Sequence, residues 1–148
     1  ELMASLLTNH MRDIKDITYF MEECKRMGVL VLGPDVNESF YKFAVNEQGE
    51  IRFGLGAVKG VGEGAVEAIV NERKEGKDTA FDDFVKRVDL RSANKRTLES
   101  MVCSGGFDSF ELKRSQYFAK EDSGQTYLEK MIKFGNKVKD SANSNQFD

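Results

Sequence analysis

The chain has 148 residues, 40% of them hydrophobic, and a formal net charge of −3 at neutral pH. That is enough for one domain with a real core, or a small domain plus an appendage. The acidic balance excludes general, charge-driven attraction to nucleic acid, so any contact with a phosphate backbone must be local.

Leu2 to Leu7 is apolar at helical spacing and ends near Thr8-Asn9, and Asp13 is placed to cap the next helix. The chain opens at Glu1 in what reads as mid-helix, which is the expectation for a piece of a longer protein. Ile14, Ile17, Met21 and Cys24 recur every three or four residues, and Gly28 is the expected stop. Val29 to Leu32 reads as a short buried strand or extended piece, broken by Gly33-Pro34-Asp35. Alternation at Tyr41, Phe43 and Val45, then Ile51 and Phe53, predicts a small hairpin with Gly49 in its turn.

The stretch from Phe53 to Val70, FGLGAVKGVGEGAVEAIV, centres on Gly60-Val61-Gly62. A helical turn or two before it and a helix over Gly64 to Glu72 after it predict two helices joined by a pinched bend. The glycines allow the backbone such a bend needs. Val61 can tuck between the helices, leaving the first amides of the second helix facing outward, where a phosphate oxygen is a natural acceptor. The bland alternative is a glycine-rich turn between packed helices. The glycine spacing is not a dinucleotide fingerprint, and no Lys-Ser/Thr pair closes a P-loop.

Gly76 ends this helix, and Asp78 or Thr79 is expected to cap the next, which carries Phe81, Phe84, Val85 and Val88. After a polar link, Asn94 is expected to cap Lys95 to Ser104, with Leu98, Met101 and Val102 on the apolar side and Gly105-Gly106 as the stop. Phe107 and Phe110 should fold back. This pair of helices reads as a degenerate second copy of the first. Tyr117 to Val138 suits one helix broken near Ser123-Gly124, or two, and the polar residues 141–148 are expected to be disordered.

The fold class expected is therefore mainly α: a tandem helix-hairpin-helix body with a small β-hairpin and flanking helices. The segments are 1–36, 37–110, 111–140 and 141–148. Lys86, Arg87, Arg91, Lys95 and Arg96 form the densest basic cluster, which Lys113 and Arg114 extend; it is either a solvated surface or a phosphate contact. Lys59 is the best single partner for a phosphate. Cys24 and Cys103 are expected to be buried thiols in a reducing cytosol. His10 and two distant cysteines cannot build a standard zinc site, and nothing resembles a nucleophilic triad. No run of about eighteen apolar residues suggests a membrane span, and no basic-then-apolar leader is visible.

Five stretches in order carry a more specific signal: Glu23 to Gly28, Val31 to Asn37, Phe53 to Ala65, Lys95 to Glu99, and Ser104 to Asp108. Over roughly residues 1 to 115 they make the chain resemble the alpha subunit of bacterial DNA polymerase III, the C-family replicative polymerase. Gly33 and Gly106 depart from that pattern, where the family often has Pro and Ala. The resemblance implies a DNA-directed DNA polymerase in the parent chain, a cytoplasmic nucleotidyltransferase using Mg2+ at aspartates upstream of this stretch. Residues 1 to about 32 would close the fingers region. The rest would grip newly made duplex DNA without reading its sequence, using Lys59, Gly60, Val61, Gly62, Gly64, Lys95, Arg96 and Thr97. No cofactor and no catalytic residue is expected here. The partners implied are double-stranded DNA and the remainder of the alpha subunit. A sliding-clamp motif follows in that family, and Gln146-Phe147-Asp148 matches only its start, so little clamp binding is expected. The rival expectations are a segment that packs polymerase domains together without touching DNA, and a free-standing enzyme.

Overall fold

A computed structural model describes residues 14–145. The expectations for Leu2 to Asp13 and for Gln146 to Asp148 lie outside these residues. Helix α1 spans Ile14–Arg26, followed by short strands β1 (Val31–Leu32), β2 (Ala44–Val45) and β3 (Ile51–Arg52). A 3-10 turn at Leu55–Ala57 leads to helix α2 (Glu63–Glu72), and a second at Arg73–Glu75 ends it. Helices α3 (Phe81–Arg87), α4 (Lys95–Ser104), α5 (Arg114–Phe118) and α6 (Tyr127–Asn145) complete the chain. The mainly helical fold with a small sheet is the one the sequence predicts.

The β2–β3 hairpin forms as expected, with Ala44 opposite Arg52 and Val45 opposite Ile51. Strand β1 adds parallel to β3, which the alternation did not signal, giving the order β1-β3-β2. Cys24, Phe43 and Ile51 form a small buried cluster beneath this sheet, with Phe20 and Val31 packed against it. Met21, expected on the buried side of α1, is 38% exposed, because Phe20 and Cys24 turn toward the sheet instead.

The larger core belongs to the helices. It runs from Val36 through Val61, Val66 and Ile69 to Phe81, Phe84, Leu98, Met101, Phe107, Tyr117 and Leu128. Phe107 sits at its centre, with its ring 5.1 Å from Phe81, 5.2 Å from Phe84 and 5.9 Å from Phe110. The first is edge-on, the second tilted and the third stacked, and such aromatic contacts add to the burial of each ring. The backbone N–H of Val36 donates to the Gly106 carbonyl at 2.8 Å and ties the sheet segment to this core.

Two local expectations change. Neither Asp78 nor Thr79 caps α3: its N-cap is Ala80, and Asp78 is buried elsewhere. Residues 141–145 continue α6 rather than forming a disordered tail.

Helix α6 crosses α3 at close range. A Cβ on Gly135 would lie 2.4 Å from the Val85 carbonyl oxygen and 3.0 Å from Leu90 Cδ1. Lys139 Nζ donates to the same Val85 oxygen at 2.7 Å. That carbonyl is in the last turn of α3, where the helix itself supplies no donor. Burial holds the Lys139 ammonium below its usual pKa. Gly135→Ala should therefore lower stability by about 1–3 kcal/mol, against the ~1 kcal/mol that alanine gains from helix propensity. Urea denaturation of the two proteins measures the difference, and a stabilised variant would show that the helices stand further apart.

Candidate nucleic-acid interface

The first bend is fixed from both sides. The Val61 N–H donates to the Val58 carbonyl at 3.1 Å, and its side chain is 6% exposed within the main core. Gly60 has φ of +93°, which a side-chain-bearing residue rarely adopts. A Cβ there would also lie 2.5 Å from Ser100 Oγ on α4. From the same helix, Thr97 Oγ1 donates to the Gly60 carbonyl at 3.2 Å. The bend of the first hairpin is thus seated on the second helix of the other.

Gly62 is the N-cap of α2, extended at φ −87° and ψ 169°, and no side chain caps the helix. The first bond into the helix is Val66 N–H to the Gly62 carbonyl at 3.1 Å. The N–H groups of Gly62, Glu63 and Gly64 find no acceptor among the described residues. All three residues are exposed, and nothing lies within 4 Å of a Cβ built on Gly62 or Gly64. Helix α2 therefore presents a row of open donors at the positive end of its dipole. Exposed Lys59 flanks the row and has no acidic partner among the described residues.

The second bend is built differently. The Asp89 carbonyl accepts from Ala93 N–H at 2.9 Å and from Ser92 N–H at 3.2 Å. Its carboxylate accepts from Arg91 N–H at 3.1 Å and from Ser92 Oγ at 3.3 Å. Those bonds, the Arg91 amide foremost, hold the Asp89 carboxyl below the usual range. Asn94 caps α4 as expected, its side-chain oxygen accepting from Thr97 N–H at 3.1 Å. A carboxylate and an amide side chain thus occupy the second bend, while the first is left open.

A model of the helix-hairpin-helix motif family matches residues 28–117. The chain belongs to the helix-hairpin-helix family. Its relatives include proteins named DNA polymerase III subunit alpha. The one from Haemophilus influenzae is 49% identical over 111 residues, 73% of this chain and 9% of the relative. That of Vibrio cholerae is 40% identical over 125 residues, 82% of this chain and 11% of the relative. That of Escherichia coli strain K12 is 43% identical over 109 residues, 73% of this chain and 9% of the relative. The chain thus spans about a tenth of the length of the curated relatives it matches. The resemblance read from the sequence was to the same subunit.

Within this helix-hairpin-helix chain the predicted site residues separate. Lys59 and Arg96 line one open depression of about 570 Å3. Arg96 is exposed and has no acidic partner among the described residues. Lys95 instead bonds Glu129 at 3.2 Å and lies 3.8 Å from Glu99. Thr97 is 5% exposed, with its hydroxyl on Gly60 and its amide on Asn94. Val61 has likewise spent its amide on Val58. The side chains of Thr97 and Val61 shape the bend from inside, and the open amides begin at Gly62 rather than directly after Gly60.

The basic cluster is largely neutralised from within. Arg91 lies 3.4 Å from Asp89, and Arg114 bonds Asp108 at 2.7 Å. Arg87, read as part of the phosphate patch, is an internal tie. Its Nε lies 3.1 Å from Glu72 Oε1, its NH1 3.2 Å from both Asp78 and Asp83, and its NH2 bonds the carbonyls of Glu72 and Gly76. Sequence spacing had hidden Glu72 and Asp78, which lie well outside one helical turn of Arg87. Cys24 is buried, and burial pushes its thiol up, whereas Cys103 is exposed on the outer side of α4. Among the described residues no group of three or more His, Cys, Asp or Glu could hold a metal ion. The trio Glu72, Asp78 and Asp83 surrounds the Arg87 guanidinium instead.

Burial, then the neighbouring Asp78 carboxyl, pushes Glu72 up to about 9, and burial raises Asp78 as well. Arg87 opposes the rise. One proton held by this pair gives its buried oxygens a donor they otherwise lack. A carboxyl with a raised folded pKa stabilises fully below its unfolded value, about 4.3, and loses that contribution as pH climbs toward 9. Stability should fall by about 3 kcal/mol between pH 6 and pH 8.5, one proton's worth per pH unit, and Glu72→Gln should flatten the decline. Urea titrations at the two pH values measure it. In the bend, Gly60→Ala should cost about 2–3 kcal/mol, while Gly62→Ala, at a negative φ with open space around it, should cost about 1 kcal/mol or less, the preference of an N-cap for glycine over alanine. Thermal melts of the pair test the seat on α4 directly.

Proposed function

We propose that this chain is the part of a bacterial replicative DNA polymerase that holds duplex DNA by its backbone, without reading bases. The observation that carries the reading is the open donor row at Gly62, Glu63 and Gly64, with Lys59 beside it. Backbone amides at a helix start match a phosphate oxygen in charge and direction and make no contact with a base edge. The relatives' name supports a place in replication in the cytoplasm. In this reading the polymerase chemistry belongs to other parts of a longer chain, and the hairpin keeps the product in register there.

A packing role without DNA is favoured by one observation: Arg87, Lys95 and Arg114 all answer to acids of the same chain. The two roles separate in solution. Fluorescence anisotropy with labelled duplexes of two unrelated sequences should give equal affinities, which fall as salt rises. About three bound phosphates correspond to a slope of log K on log salt near −2.7.

Glu63 gives a sharper test. It is the first residue of α2, where proline is tolerated, and Gly62 before it is already extended. Glu63→Ala removes a negative charge and keeps the N–H. Glu63→Pro removes the N–H as well. The alanine variant should bind more tightly than the parent, and the proline variant about tenfold more weakly than the alanine variant. Equal binding by the two would sink the amide grip, and absence of binding at low salt would leave the packing role.

A further inference from the structure

The depression between the two hairpins has its own chemistry. Lys59 and Arg96 stand on its rim, and Val58, Ser100, Cys103 and Phe118 are among the residues that line it. Phe118, at the end of α5, leaves 38% of its surface exposed here. Glu99 also lines the depression, and its carboxylate lies 3.8 Å from the Lys95 ammonium. The balance facing solvent is therefore cationic at the rim and apolar within. A sugar-phosphate unit has the complementary pattern, a charged phosphate attached to a ring with apolar C–H faces. The depression also borders the bend, since Val58 and Lys59 run directly into Gly60 and Ser100 packs against it, two residues before the open amides begin.

We propose that this depression binds the adjoining deoxyribose-phosphate of the strand whose phosphate sits on the start of α2. The phosphate lies between Lys59 and Arg96, and the sugar lies on Phe118. Two cations from different hairpins thereby engage one strand, and α4 contributes to the grip through Arg96 rather than through its own bend. The inference rests on the backbone-binding reading and adds a path to it.

Cys103 reports directly on this path. It is the exposed thiol of the depression, and Cys24 is 0% exposed. The full chain is treated with N-ethylmaleimide, a neutral reagent, with and without a saturating duplex, and the adduct at Cys103 is timed by mass spectrometry. Anisotropy under the same conditions records whether the duplex is bound. The expected result is bound duplex and at least tenfold slower alkylation. Bound duplex with an unchanged rate would overturn the path, leave the amide grip standing, and free the depression for a protein surface. No bound duplex would overturn both. Arg96→Gln should reduce the salt slope by about 0.9. Phe118→Ala should weaken binding severalfold and leave the slope unchanged, as an apolar contact releases no counterion. A Phe118→Ala variant that binds like the parent would remove the sugar contact.

Discussion

A single donor from α4 governs the arrangement. The Thr97 hydroxyl reaches the Gly60 carbonyl, and the absent side chain of Gly60 lets Ser100 come close. Every feature of the open helix start depends on that seat. Turning the Gly60 peptide would release Val61 from the core and redirect the amides that follow. The backbone of one hairpin is shaped by side chains of the other, so the two copies form one device rather than two adjacent ones.

The copies have diverged in what they leave available. Gly62 caps α2 with nothing, whereas Asn94 caps α4 with its own amide. Asp89 folds its carboxylate into the second bend, where it accepts from Arg91 N–H and Ser92 Oγ, whereas Glu63 at the first caps no amide of its own helix. An anion offered to this surface thus meets donors on one side and a carboxylate on the other. A net charge of −3 is compatible with such a surface, since the attraction is confined to a few exposed groups.

Much of this was legible in the chain. Gly60-Val61-Gly62 announced a bend because Gly60 takes a positive φ that side-chain-bearing residues rarely adopt, and Asn94 and Gly105 marked the ends of α4 by capping chemistry. The charged residues were less legible, for a physical reason. A run of lysines and arginines states where cations are in sequence, but not which acids fold against them. Arg87 is held by Glu72 and Asp78 across a turn that the pattern alone cannot close. Thr97 was expected among the residues that grip DNA, yet helical spacing puts it on the same inward side as Met101, and the bend of another hairpin covers it. The extended piece at β1 was legible, but its parallel pairing with β3 was not, because a two-residue strand has no periodicity that could assign it a partner.

The crossing of α6 over α3 has a temporal side. The Val85 carbonyl receives its ammonium donor from Lys139, 54 positions further along. Translation at ~5–20 residues per second delivers that lysine roughly 3–11 seconds after the carbonyl it serves. Throughout that interval the nascent hairpins have a greasy flank without its lid. A growing chain is therefore at its stickiest when both bends already exist and the closing helix is still inside the ribosome.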